Sequence, residues 1–182
     1  KFPDDDVVQV DHDNVGACKE LVTVLFAKGI QNIAYLGSNM DQMVNRCRYQ
    51  GYEEAYRKGK RKLNQDLVYT DLSSRAMVEK AVEELKKSGV ECILCQDDYI
   101  CDEVVRKLAR MGVRIPDQMK VASCHYSRIL ENYPVTITSL KFNITELGRR
   151  SCQVLLDMIH GKTVPDKTLL DYEIILKEST KG

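Results

Sequence analysis

The sequence predicts an α/β fold, a parallel sheet in three layers with helices on both faces, and three observations predict it. Short apolar runs alternate with longer amphipathic stretches along nearly the whole chain, as in repeated βα units. The amphipathic stretches open at Asp, Asn or Ser residues that can cap a helix, and they close at glycines. With 182 residues, 43% of them hydrophobic, the chain can also furnish the buried core that such a sheet needs.

Residues 7–10 read as the first strand. Asp13 or Asn14 can then cap a helix in which Cys18, Leu21, Val22 and Leu25 follow the i, i+3, i+4, i+7 spacing, up to a left-handed stop at Gly29. Residues 32–36 form the next strand and 37–42 a polar loop, and Val44, Cys47, Gly51, Tyr52 and Ala55 mark the inner face of a second helix ending near Gly59. A strand over 66–69 leads through Ser73 and Ser74 into a helix with Met77, Ala81, Val82 and Leu85 inside and Gly89 as its stop. Cys92–Cys95 is the following strand. A fourth helix over 99–111, capped by Asp98, ends at Gly112, and Ile115-Pro116 breaks the chain before a strand over 119–123. After a long connection over 124–136, Asn143 and Glu146 have capping-box spacing for a helix through His160. Residues 162–167, with Pro165, read as a polar linker, and 172–176 as a last short strand, for six or seven strands in all.

Composition narrows the function. The 27 basic and 27 acidic residues cancel, so there is no global attraction to nucleic acid or anionic lipid, and the basic run 57–62 reads as a solvated helix end beside Glu53 and Glu54. No apolar run approaches the length of a bilayer span, and the start Lys1-Phe2-Pro3-Asp4-Asp5-Asp6 lacks a secretory apolar run, so a soluble chain with no membrane partner is expected. Seven cysteines, an odd number scattered through apolar segments, suit reduced thiols and a cytoplasmic location. Cys92 and Cys95 have C-x-x-C spacing, but three residues apart on a strand they point to opposite faces, against a redox or metal role. Dinucleotide-binding, P-loop and nucleophile-elbow motifs are absent, no cofactor is expected, and Asp97-Asp98 is a weak magnesium signal for a receiver-type phosphotransfer domain.

In an open parallel sheet, ligands sit beyond the carboxyl ends of strands, which directs attention to 37–48, 70–74, 96–99 and 124–127. These stretches supply a guanidinium, carboxylates, an imidazole and amides, the mixed donors and acceptors that hold a polar small molecule.

Several segments, in order, resemble the LacI/GalR-type bacterial transcription regulators. Val10-Asp11-His12-Asp13-Asn14-Val15-Gly16-Ala17 is similar to V-D-x-D-N-x-x-G-A, with the Gly shifted, and 29–37 to G-H-x-x-I-A-x-L-x-G, matching Gly29, Ile33, Ala34 and Gly37 and lacking the His. Arg48-Tyr49-Gln50-Gly51-Tyr52-Glu53-Glu54-Ala55 fits R-x-x-G-[YF]-x-x-A, and Gly112-Val113-Arg114-Ile115-Pro116-Asp117 fits G-x-x-[IV]-P-x-D with one residue fewer. Thr136-Ile137-Thr138-Ser139-Leu140 is similar to L-T-T-[IV], Leu147-Gly148 follows, and Lys177-Glu178-Ser179-Thr180 resembles the R-x-S-T ending.

The resemblance implies a periplasmic-binding-protein-like fold of two α/β lobes closing over an effector, with a helix-turn-helix headpiece ahead of them. It implies that this chain holds the carboxyl-terminal lobe over 1–140 and a crossover helix with a final strand over 141–182, the headpiece and most of the other lobe lying outside it. Operator DNA would then be reached only through the missing headpiece, by a homodimer. The effector would be a sugar or, since Arg48 and His125 favour negative charge, an anionic metabolite. Arg48 falls at an effector-contacting arginine, expected to be solvated when no ligand is bound, and Asp97 at a polar contact. Leu72 stands near a ring-stacking aromatic, and His125, within Ser123-Cys124-His125-Tyr126, near an effector-binding Asp. Ile144, Leu147, Val154, Leu155, Met158 and Ile159 would have lost their usual cover on the other lobe. The competing readings are a solute-binding protein of a sugar transport system and the receiver-type domain.

Overall fold

A computed structural model describes residues 7–181; the amino-terminal six, read above as lacking a secretory run, lie outside it. Five strands run parallel in one large sheet, β2 (Ile33–Leu36), β3 (Val68–Tyr69), β4 (Cys92–Cys95), β5 (Lys120–Ser123) and β6 (Thr138–Phe142), whereas β1 (Gln9–His12) stands apart. With β8 (Tyr172–Ile175) joining antiparallel to β6, the large sheet has the order β3-β2-β4-β5-β6-β8. β1 pairs in parallel with β7 (Lys167–Leu170) as a separate two-stranded sheet.

Helices α1 (Asn14–Ala27) and α2 (Met43–Lys58) cover one face of the large sheet, and α3 (Arg75–Leu85) and α4 (Asp98–Arg110) cover the other. This is the expected three-layer arrangement. Alternation along the strands divides the core: Ile33, Tyr35, Cys92 and Leu94 pack with α1 and α2, while Ala34, Leu36, Ile93 and Cys95 pack with α3 and α4. Cys92 and Cys95 therefore face opposite layers, as their spacing requires. Gly29 and Gly112 stop α1 and α4 with φ of +88° and +66°, where a side chain would strain the backbone.

The clamp between α1 and α2 depends on Gly51. A Cβ there would lie 2.4 Å from the Val15 carbonyl oxygen and 2.9 Å from the Cys18 Cβ, so the two backbones approach as only glycine allows. On α2 the buried residues are Asn45, Arg48, Gly51, Tyr52, Ala55 and Tyr56, whereas Val44 and Cys47, expected inside, are half-buried. The first turns of α2 overlie the sheet's polar carboxyl edge, and polar side chains are what that edge buries.

The structure corrects several boundaries. Residues 138–142 form β6 although they carry Thr and Ser: the Thr138 hydroxyl meets that of Thr180 at 2.7 Å, and Ser179 accepts from the Thr138 backbone and donates to Val121. A buried strand with its hydroxyls satisfied loses its apolar signature. Residues 167–170, which begin at the end of the expected 162–167 linker and carried no strand expectation, form β7, and the first strand lies at 9–12 rather than 7–10. β1 pairs with β7, and β8 completes the large sheet beside β6. Asp97, not Asp98, caps α4. Half of the capping box forms at α5 (Ile144–Ile159): Asn143 accepts from the Glu146 backbone, but Glu146 turns to Arg149.

α5 lies against β1 with Val154 buried, and together with β7 these elements form a small platform beside the large lobe. Ile144, Leu155, Leu156, Met158 and Ile159 are exposed. The 182-residue chain is therefore expected to self-associate through α5. The double variant Leu155→Glu, Ile159→Glu should weaken association by about tenfold or more in light scattering across a concentration series; a wild-type monomer at high concentration contradicts this.

Candidate functional site

The ladder sets the site. Tyr69, Leu36, Cys95, Ser123 and Ser139 pair level with one another across the parallel strands, so the residues that follow emerge along one edge. Gln96 donates its backbone N–H to Leu36 at 2.8 Å, and Cys124 donates to Cys95 at 2.8 Å, extending the ladder by one rung. Beyond it, Gly37 and Ser38 follow β2, Gln96 to Asp98 follow β4, Cys124 and His125 follow β5, and Phe142 ends β6.

Arg48 reaches this edge from α2. It is only 8% exposed, its Nε donating to Asn14 Oδ1 at 3.3 Å and its Nη1 to the Gln96 carbonyl at 3.0 Å. The expectation of a solvated guanidinium is overturned: the helix start brings Asn14 over the strand ends and closes the guanidinium in. Asn14 in turn donates to the His12 carbonyl at 3.2 Å, leaving Asp13 as the cap of α1, bonded to Gly16 at 2.8 Å. Gln96 is fully buried; its Oε1 accepts from Ser38, while its Nε2 has no partner among the described residues. His12 Nε2 and the Tyr35 hydroxyl are likewise buried without partners. Burial pushes the Tyr35 phenol well above its ordinary range, and the nearby Cys124 and Cys18 thiols add to the shift.

His125 is partly open. Its Nδ1 lies 3.2 Å from Asp98 Oδ1, and its backbone exchanges hydrogen bonds with Ser123 Oγ. Phe142 links the two ends of the site, its ring centroid 4.9 Å from that of His12 and 6.4 Å from that of His125. Asp97, half-buried, caps α4 through Ile100 at 2.9 Å.

Arg48, Asp97 and His125 thus share one strand edge. Leu72 does not join them as a contact surface: it is 6% exposed and packs into the core of α3 and α4. Sequence reasoning included Gln96 in the 96–99 stretch without giving it a role, and it did not single out Asn14, His12 or Phe142 beside this edge. Gln96 was detectable as the first polar residue after a strand, whereas Phe142 required recognising β6.

The cysteines show no redox geometry at the C-x-x-C pair. Burial drives the Cys92, Cys95 and Cys18 thiols above their ordinary range, and Cys18 Sγ lies 3.6 Å from Cys124 Sγ in the core. Among the described residues, no helix is long and apolar enough to cross a membrane.

Residues 22–180 match the family described as periplasmic binding protein-like domain. The HTH-type transcriptional regulator CelR of Thermobifida fusca is 27% identical over 180 residues, 97% of this chain and 53% of that protein. The solved transcriptional regulator CelR–cellobiose complex superposes with a TM-score of 0.85 at 26% identity, covering 97% of this chain and 55% of that one. The transcription regulator CcpA of Lactococcus lactis, at 24% identity, shares the fold with a TM-score of 0.83, covering 94% of this chain and 64% of its own. The chain spans about half the length of the curated relatives it matches. These relatives are regulators rather than enzymes.

Two outcomes are expected. Arg48→Ala leaves Asn14 Oδ1 and the Gln96 carbonyl short of a donor, at a cost of about 1–3 kcal/mol and a melting temperature lowered by several degrees; an unchanged melt contradicts the buried network. In native thiol titration, exposed Cys152 reacts first and half-buried Cys47 more slowly, while the five buried cysteines react only on unfolding; early modification of any of those five contradicts the packing.

Proposed function

The chain belongs to the periplasmic binding protein-like family in its LacI-type regulator form, and from that premise we propose that it is the effector-sensing portion of a cytoplasmic transcription regulator. The effector is a polar small molecule, a sugar or a related anionic metabolite, resting on the carboxyl edge of the large sheet. A second lobe seated on β1, β7 and α5 closes over it, and the working unit is a homodimer whose headpiece meets operator DNA. In this reading Arg48 and His125 touch the effector, Asp97 shapes the rim and Leu72 backs the strand end from within the core. The role calls for no catalysis and no cofactor.

The carrying observation is the edge itself: a buried guanidinium on the Gln96 carbonyl, with the buried Gln96 Nε2 and His12 Nε2 lacking partners among the described residues. Buried polar atoms are normally satisfied, so their clustering where parallel sheets bind ligands supports a ligand there. The transport and receiver-type readings are not favoured, because the relatives are transcription regulators and both acidic residues of the supposed magnesium pair have protein partners.

The test is operator binding by the headpiece-bearing chain, read by fluorescence anisotropy with and without a panel of sugars that begins with cellobiose, the ligand in the CelR complex. An active effector should shift operator affinity by about 5–150-fold, and His125→Ala should abolish the shift while leaving effector-free operator affinity unchanged. An effector response untouched by His125→Ala places the effector elsewhere.

A further inference from the structure

We propose that Cys18 and Cys124 form a modification site, a dithiol that a hydroperoxide closes to a disulfide directly beneath the strand edge. The inference goes beyond the sensing role and does not depend on it.

Contact is the first argument. Cys18 Sγ, on α1, lies 3.6 Å from the Sγ of Cys124, the first residue after β5, although 106 positions separate the two in sequence. The sulfurs already touch, so a bond of about 2 Å requires an approach of only about 1.5 Å. Gly51 clamps α1 against α2, with the Cys18 Cβ 2.9 Å from where a side chain on the glycine would begin. Closure therefore draws mainly on the 124–127 connection, and that connection carries His125.

Access is the second argument. Both cysteines are fully buried, yet Cys124 adjoins His125, which is partly open at the edge. Bulky thiol reagents are shut out, whereas hydrogen peroxide is scarcely larger than water. The Tyr35 hydroxyl stands near both thiols, buried without a partner among the described residues, and offers a hydrogen bond to an entering oxidant. Burial holds the Cys18 thiol above its ordinary range while the Arg48 charge pulls it the other way, so the pair stays quiet until a peroxide is in excess. Cys95 and Cys101 also meet, in the opposite layer, but the residue after Cys95 is the fully buried Gln96.

The chemistry balances. The Cys18 thiolate attacks one peroxide oxygen, the O–O bond breaks, and the departing hydroxide takes up the thiol proton and leaves as water, with a sulfenic acid on Cys18. The Cys124 sulfur then attacks the Cys18 sulfur, the S–O bond breaks, and a second water leaves with the Cys124 proton. Each sulfur gives up one electron, and the peroxide takes two. Cys18 lies one turn beyond Asn14, which holds Arg48, and Cys124 precedes His125, so the bond shifts the surroundings of Arg48 and His125 together.

The experiment treats the 182-residue chain with excess hydrogen peroxide under native conditions, after Cys47→Ser and Cys152→Ser have removed the two cysteines that are not buried. Peptide mapping without reductant, following alkylation in denaturant, should find one cross-link in most of the chain, joining Cys18 to Cys124 and released by dithiothreitol. The amide signals of Asn14, Arg48 and His125 should move on oxidation and return on reduction. In the same background Cys124→Ala, shown to be folded by a thermal melt, should give neither the cross-link nor the movement. A folded chain in which Cys18 and Cys124 stay reduced, or a cross-link between Cys95 and Cys101 instead, overturns the assignment. Oxidation of either sulfur beyond the sulfenic stage without a bond overturns it as well. A bond between Cys18 and Cys124 that leaves the three amides unmoved overturns the coupling to the edge.

Discussion

Everything functional in this molecule depends on the level register of its parallel strands. Tyr69, Leu36, Cys95, Ser123 and Ser139 stand in one row, so four separate βα connections deliver their first residues to a single line. A register slip of one residue in a central strand would exchange its residues between the two core layers and displace its contribution to the edge together. The central strands guard against this by being apolar and buried on both faces, with Ile33–Leu36 and Cys92–Cys95 packed without gaps between two helical layers.

The second fixed distance is between helices. Gly51 lies one turn beyond Arg48 on α2 and touches the backbone at Val15, and Asn14 precedes Val15 on α1. The same close approach that packs the helices therefore sets the separation between the guanidinium and the amide that holds it. The structural motif and the proposed ligand edge are one construction, which explains why an arginine that reaches the strand edge is also buried there.

Much of this was legible in the sequence because period, cap and stop agreed for the βα units: α1, α2, α3 and α4 fall where their spacing places them, within a residue or two. Arg48, Asp97 and His125 were legible through position, since each belongs to a segment following a strand. Illegible was anything carried by polar residues that bury themselves. β6 was hidden because Thr138 and Ser139 break the apolar run, and only the return of Ser179 and Thr180 to the strand's start satisfies the Thr138 groups inside, while Ser139 donates to the Ile137 carbonyl. β7 was hidden because it pairs with β1, far away in sequence and outside the large sheet. The burial of Arg48 was hidden for a like reason: nothing in a helix face announces that Asn14 will arrive above it.

The chain passes between the large lobe and the small platform three times, and the three passages are neighbours. The His12 ring packs tilted against Phe142, the Asp13 N–H donates to the Leu170 carbonyl at 3.2 Å, and Phe142 pairs with Tyr172 across β6 and β8. Two bodies tied by three adjoining strands of backbone cannot slide or twist past each other without breaking these ties, yet they can swing about the line the ties define. Because His12 and Phe142 lie both at these crossings and at the end of the strand edge, a molecule bound at the proposed site would bear directly on the line where the two parts join.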